Sequence, residues 1–120
     1  MPRLLPYSLM IALISGVSAC RTDTEVPASP EVSFQTHVQV ILASNCNMAG
    51  CHSATGGEFP LTTYEAVMQH VSAGDARNST RFKSITGRTE EPMPPYGREP
   101  LSDEEIMTIY AWIEQGAKNN

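Results

Sequence analysis

The segment NCNMAGCH, Asn45 to His52, sets two thiols five positions apart and an imidazole directly after the second. Three kinds of chemistry use such a set. A structural zinc takes four ligands, with paired cysteines usually separated by about two to four residues. Cys46, Cys51 and His52 would supply three, and His37 or His70 the fourth, although the adjacency of Cys51 and His52 is awkward around one small ion. A thioredoxin-like redox pair wants C-x-x-C at a helix start near a strand, and neither condition holds. A plain Cys46–Cys51 disulfide would close a very small loop and leave His52 without a role. Covalent haem attachment uses all three residues together. Two thiols add to two vinyl groups as thioethers, and the following histidine ligates the iron.

The usual attachment signature is C-x-x-C-H. Here Asn47, Met48, Ala49 and Gly50 expand it to C-x-x-x-x-C-H, so the spacer must bulge while both sulfurs keep their reach. Gly50 suits a bulge because it takes backbone angles that other residues avoid. A second piece lies in EPMPPYG. Met93 stands between Pro92 and Pro94 and is restricted to extended conformations. A thioether on so stiff a segment suits the distal face of a haem, where His/Met ligation raises the reduction potential. Met48 lies in the spacer. Met68, His70 and Met107 fall on expected helices with core or surface duty, and His37 falls on the surface of the first helix.

The elements that must position these groups are helical. Ser33 can cap a helix on which Phe34, Val38, Ile41 and Leu42 recur at helical spacing, running into Cys46. Thr62 to Glu65 has the T-x-x-E pattern of a capping box and opens a second helix carrying Ala66, Val67 and Val71, stopped at Gly74. Ser79 to Thr86 gives a short third helix ended by Gly87. The proline-rich segment around Met93 can be neither helix interior nor central strand. Ser102 to Glu105 is another capping box, followed by an apolar stripe of Ile106, Ile109, Tyr110 and Ile113 that stops at Gly116. No run alternates as a strand would. The expected fold is all-α, three or four helices with long loops. Such loops are unusual in so small a domain, so a bound group is expected to complete the core.

The first twenty residues have a different character. Arg3, the apolar run Leu9 to Ile14, and the small residues Gly16 to Ala19 before Cys20 have the shape of a cleaved secretory leader. VSAC resembles the bacterial lipobox, which makes residues 1–19 a signal peptide and Cys20 a lipidated N-terminus. Residues 20–31, with Pro27 and Pro30, form a flexible tether, and residues 32–120 form the domain. The compartment expected is the cell envelope, with the domain facing the periplasm or cell surface and the outer membrane favoured by Arg21 after the cysteine. The formal charge is −5, and more negative without Arg3, which argues against nucleic acid as a partner.

Three stretches in this order resemble the class I-like monohaem c-type cytochrome domains, in a bacterial branch with an expanded attachment motif. They are SFQTHVQVILASNCNMAGCHS, GGEFPLTTYEAVMQHV and MPPYGREPLSDEEIMTIYAWIEQGAKNN. The resemblance spans residues 32–120. It implies Cys46 and Cys51 as thioether sites for one haem c, His52 as proximal ligand and Met93 as distal ligand. It also implies that the first and last helices cross, with Phe34 and Ile41 near Tyr110 and Ile113. Trp112 is placed against the haem region or a propionate, and Arg77, Arg81 and Arg98 are candidates to pair with the propionates.

The activity expected is electron transfer to or from redox proteins of the periplasm or membrane, by a carrier and not an enzyme. Two other readings stay open at this point. One is a zinc-stabilised structural lipoprotein. The other is a haem-based sensor that binds a small ligand when Met93 leaves the iron.

Overall fold

The computed structural model describes residues 26–120. The expected signal peptide, residues 1–19, and the expected lipidation site, Cys20, lie outside the described residues. Within them there is no strand, and the fold is all-α.

The first helix starts where the sequence provides a cap. Ser33 is extended, and its Oγ accepts the Thr36 N–H, one of the donors that a helix start leaves unpaired. The first turn, Phe34–Val38, is π-helical. The Val38 N–H reaches the Ser33 carbonyl and the Gln39 N–H reaches that of Phe34. This turn continues into α1, Gln39–Asn45. A wide first turn brings residues four apart onto one face, and Phe34, Val38, Leu42 and Cys46 are all buried along it. The core stripe therefore leads directly to the first cysteine of the motif.

Helix α2, Tyr64–Met68, is capped by Thr63, whose Oγ1 accepts the Ala66 N–H. The sequence placed this cap at Thr62, one residue early. The Thr62 carbonyl instead accepts from the Gln39 side chain of α1. Val71 lies beyond the end of α2 and still packs against the core. A 3-10 turn, Ala76–Asn78, leads into α3, Thr80–Ile85, and Gly87 ends that segment at φ +68°.

Helix α4, Asp103–Glu114, is the element on which the others meet. Its start is the capping box expected from the sequence. Ser102 Oγ accepts the Glu105 N–H at 3.2 Å, and the Glu105 carboxylate accepts the Ser102 N–H at 2.8 Å. The backbone donor of Ser102 holds the Glu105 carboxyl below its ordinary value, with smaller help from Asn45 and the Ser102 hydroxyl. Asn45 Nδ2 donates to the same carboxylate at 3.0 Å, which ties the end of α1, next to Cys46, to the start of α4. Ser102→Ala should cost about 1 kcal/mol in chemical denaturation. Because the folded carboxyl is lowered, the contribution of Glu105 is present above the unfolded carboxyl value. It is lost as pH falls through the folded one, and the variant should lose part of that acid dependence.

Ile109, Trp112 and Ile113 are the buried face of α4. The expected crossing of first and last helices is made by the π-turn. Phe34 lies 5.5 Å from Trp112 and edge-on to Tyr64 at 5.2 Å, centroid to centroid. Phe82 of α3 meets Tyr110 at 5.3 Å. The end of the chain folds back on this cluster. Trp112 Nε1 donates to the Lys118 carbonyl and Tyr64 Oη to that of Ala117. Gln35 N–H, Phe34 N–H and Ser33 Oγ all donate to Asn120. The end of the expected tether is also docked. The Pro27 and Pro30 carbonyls accept from Gln115 Nε2, and Glu31 pairs with Lys118. No helix among the described residues is long and apolar enough to cross a membrane.

Candidate functional site

Cys46 sits at the C-cap of α1, where its N–H still bonds the Leu42 carbonyl. It is 9% exposed, and Cys51 is half-buried; both thiols are free. Burial pushes the Cys46 thiol above its ordinary value, so it is neutral at physiological pH. The four-residue spacer folds as a closed turn. Cys51 N–H donates to the Met48 carbonyl at 3.0 Å and His52 N–H to the Cys46 carbonyl at 3.1 Å. Gly50 makes the turn possible at φ +80°, an angle that costs a side-chain-bearing residue energy.

The segment after the motif packs tightly beneath it. A β-carbon on Gly56 would stand 1.9 Å from the Cys51 carbonyl oxygen, so only glycine fits there without moving the backbone. Gly56→Ala should destabilise the domain by about 1–3 kcal/mol, the usual cost of overpacking. A denaturation midpoint equal to that of the parent would contradict this packing.

His52 is 4% exposed and oriented by one bond. Its Nδ1 lies 2.8 Å from the Phe59 carbonyl oxygen. A carbonyl can only accept, so Nδ1 carries the ring proton. Nε2 has no hydrogen-bond partner among the described residues. A metal-ligating histidine is oriented in this way, with its other ring nitrogen held by a backbone oxygen. Leu61, fully buried, completes the support by donating its N–H to the His52 carbonyl at 2.9 Å.

These groups face one cleft with about 660 Å³ of atom-free space, part of it open to solvent. Cys46, Cys51, His52 and Met93 all line it. Ile85, Leu101 and Pro94 supply apolar walls. Met93 is half-buried, and its N–H donates to the Ser84 carbonyl at 2.9 Å, so α3 holds the proline-rich segment in place. Arg98 Nη1 approaches Met48 Sδ at 3.5 Å and joins this segment to the spacer. A second, more open cleft shares Glu58, Arg81 and Met93 with the first and adds His70. The sequence-derived donor set is thus brought together.

The other donors are not part of that set. His37 is exposed, and its Nδ1 accepts the Ser33 N–H. His70 lies past the end of α2, stacked on the Phe59 ring at 4.1 Å. Burial lowers its proton affinity, with smaller contributions from Arg81 and His52. Met107 is exposed, and Met68 packs against the core. Trp112 belongs to the core and does not line the cleft. Arg77 does not line it either, whereas Arg81 and Arg98 do. Among the described residues no three His, Cys, Asp or Glu side chains are grouped as a metal ion would require. The zinc arrangement of Cys46, Cys51, His52 and a second histidine is therefore not assembled.

Phe59 was not anticipated from the sequence. Its carbonyl orients His52, and its ring lies against His52 at 4.6 Å and beneath the Arg81 guanidinium at 5.1 Å. The available signal was Pro60, which restricts the preceding residue to extended geometry. No family model, curated protein or solved structure matches this chain.

Proposed function

We propose that residues 32–120 form a cytochrome c-like electron-transfer domain with one covalent haem. In this reading Cys46 and Cys51 hold the thioether links, His52 is the proximal ligand and Met93 the distal one. The observation that carries it is the orientation of His52 by the Phe59 carbonyl in a cleft shared by two free thiols and a thioether. That donor set fits haem c, and the unpartnered Arg81 Nε in the same cleft fits a group that brings its own negative charge. Haem bound there supplies a one-electron couple.

The chain's own residues do the rest. The Phe59 carbonyl fixes the orientation of the His52 ring. The Ser84 carbonyl holds Met93 through its backbone. Ile85, Leu101 and Pro94 limit water in the cleft and so favour the less charged, reduced state. With His52 and Met93 both holding the iron, no site would remain for a substrate, which would make the domain a carrier. Lipidation at Cys20 would tether it to the membrane that houses its redox partners, in the periplasm or at the cell surface.

The test is a reduced pyridine haemochrome spectrum of protein made with a c-type maturation system. An α-band typical of two saturated thioether links is expected. Zinc by metal analysis and no haem would overturn the reading. In the haem-loaded protein, Met93→Ala should abolish the weak sulfur-to-iron band at the red end of the oxidised spectrum. Survival of that band would remove Met93 from the coordination sphere.

A further inference from the structure

The chain enters the domain through residues that the end of α4 grips. Gln115, the C-cap of α4, uses both ends of its side-chain amide on them. Its Oε1 accepts the Val32 N–H at 2.8 Å, and its Nε2 donates to the Pro27 carbonyl at 2.8 Å and to that of Pro30 at 3.2 Å. Val32 packs against the core, and Glu31 pairs with Lys118 just beyond the helix. An exposed ion pair holds little by itself, so the latch rests on Gln115 and on the packing of Val32. The cleft lies at the other end of α4. Arg98 and Leu101, just before the Ser102 cap, line it, as does Asn45, whose amide bonds Glu105 in the first turn. Helix α4 is about 18 Å long, and that length separates the latch from the cleft.

The reach of the tether then limits how the domain can stand on a membrane. Pro27 follows Cys20 by seven positions, and no path over them spans more than about 25 Å. A compact domain of this size is about 30 Å across. With the cleft turned squarely to the bilayer, Pro27 would stand farther from the surface than the tether extends. Were residues 27–32 free, the span from Cys20 to Ser33 would be about 45 Å, and either end could face the membrane. We propose that Gln115 latches the tether so that the C-terminal end of α4 faces the membrane and the cleft faces away from it. The protein that meets the cleft is therefore a water-soluble domain standing clear of that bilayer. Tyr96, 92% exposed in the turn that runs from Pro95 to Arg98 at the cleft's rim, is on the side left free. The proposal rests on lipidation at Cys20 and not on which group fills the cleft.

The experiment uses the mature lipidated protein, purified from membranes, in phosphatidylcholine nanodiscs doped with a lipid that carries gadolinium on its headgroup. Paramagnetic broadening of backbone amide resonances reads the distance of each residue from the bilayer surface. Lys118 and Asn119 should broaden several-fold more than Tyr96 and Gly97. Combining Gln115→Ala with Glu31→Ala opens the latch and should bring that ratio towards one. Inserting about ten glycine and serine residues between Cys20 and Pro27 lengthens the tether without touching the domain and should do the same, even if the double variant fails to fold. Equal broadening in the parent, or more at Tyr96 than at Lys118, would overturn the proposal. So would a ratio that neither the latch variant nor the insertion changes, since a surface other than the tether would then set the orientation. A mass spectrum without acyl chains on Cys20 overturns the lipoprotein reading instead, and this proposal with it.

Discussion

Replacing both Cys46 and Cys51 with alanine should leave no pigment on the chain after extraction with acidified organic solvent, whereas the parent should retain all of it. The expectation follows from where the thiols stand. Both line the cleft that His52 faces, and the spacer between them is closed by the Cys51 and His52 backbone bonds into a fixed turn. The two single variants should differ. Cys51 is half-buried, so Cys51→Ala should keep one thioether with little loss of stability. Cys46 ends the buried stripe from Phe34, so Cys46→Ala removes a sulfur from the core as well as a link. Each single variant should show a haemochrome α-band shifted to the red, because one vinyl group stays conjugated. Full retention of pigment in the double variant would disprove covalent attachment at this motif.

The second large effect is expected far from the cleft. Trp112→Ala should cost about 3–5 kcal/mol, the usual range for a buried tryptophan. That is a large share of the 5–15 or so kcal/mol that keeps an ordinary domain folded. Trp112 is 1% exposed and touches Phe34 from the π-turn and Tyr64 from α2. Its Nε1 also holds the last residues in place through the Lys118 carbonyl. Removing the ring therefore opens a cavity among three segments and frees the terminal backbone at once. Denaturant titration of parent and variant measures the difference. A loss under 1 kcal/mol would show that this cluster is not the keystone of the core.

Local signals made most of the helix order legible in the sequence. A capping box is a bargain among four neighbouring residues, so Ser102 and Glu105 declared the start of α4 without help from the rest of the fold. Gly87 and Gly50 were readable for the same reason, since each answers a backbone angle at its own position. The start of α2 was misplaced because Thr62 and Thr63 are equally good caps. The choice was made by Gln39, which takes the Thr62 carbonyl from another helix. The π-turn was not visible because its apolar residues also satisfy an ordinary helix. In the site, Cys46, Cys51, His52 and Met93 were legible by type and spacing. Arg81 could not be separated from Arg77 and Arg98, because only tertiary packing determines which arginine is buried. Phe59 acts on His52 through its carbonyl, which is the same in every residue.

The clasp between the first helix and Asn120 also sets an order of events. Its bonds join residues 86 and 87 positions apart, and Phe34 finds its aromatic partners only in α2 and α4. A chain that emerges from its N-terminus exposes Cys46 and Cys51 long before the residues that bury Cys46 have been made. Until then the stripe from Phe34 lacks its α4 partner Trp112, and both thiols stand more open than in the finished fold. Once Asn120 locks onto Ser33 and Phe34, that stripe has its full set of partners, and Cys46 is reached only through the cleft. Chemistry at Cys46 therefore has its widest access in the interval between synthesis and closure, whereas the half-buried Cys51 stays reachable from the cleft.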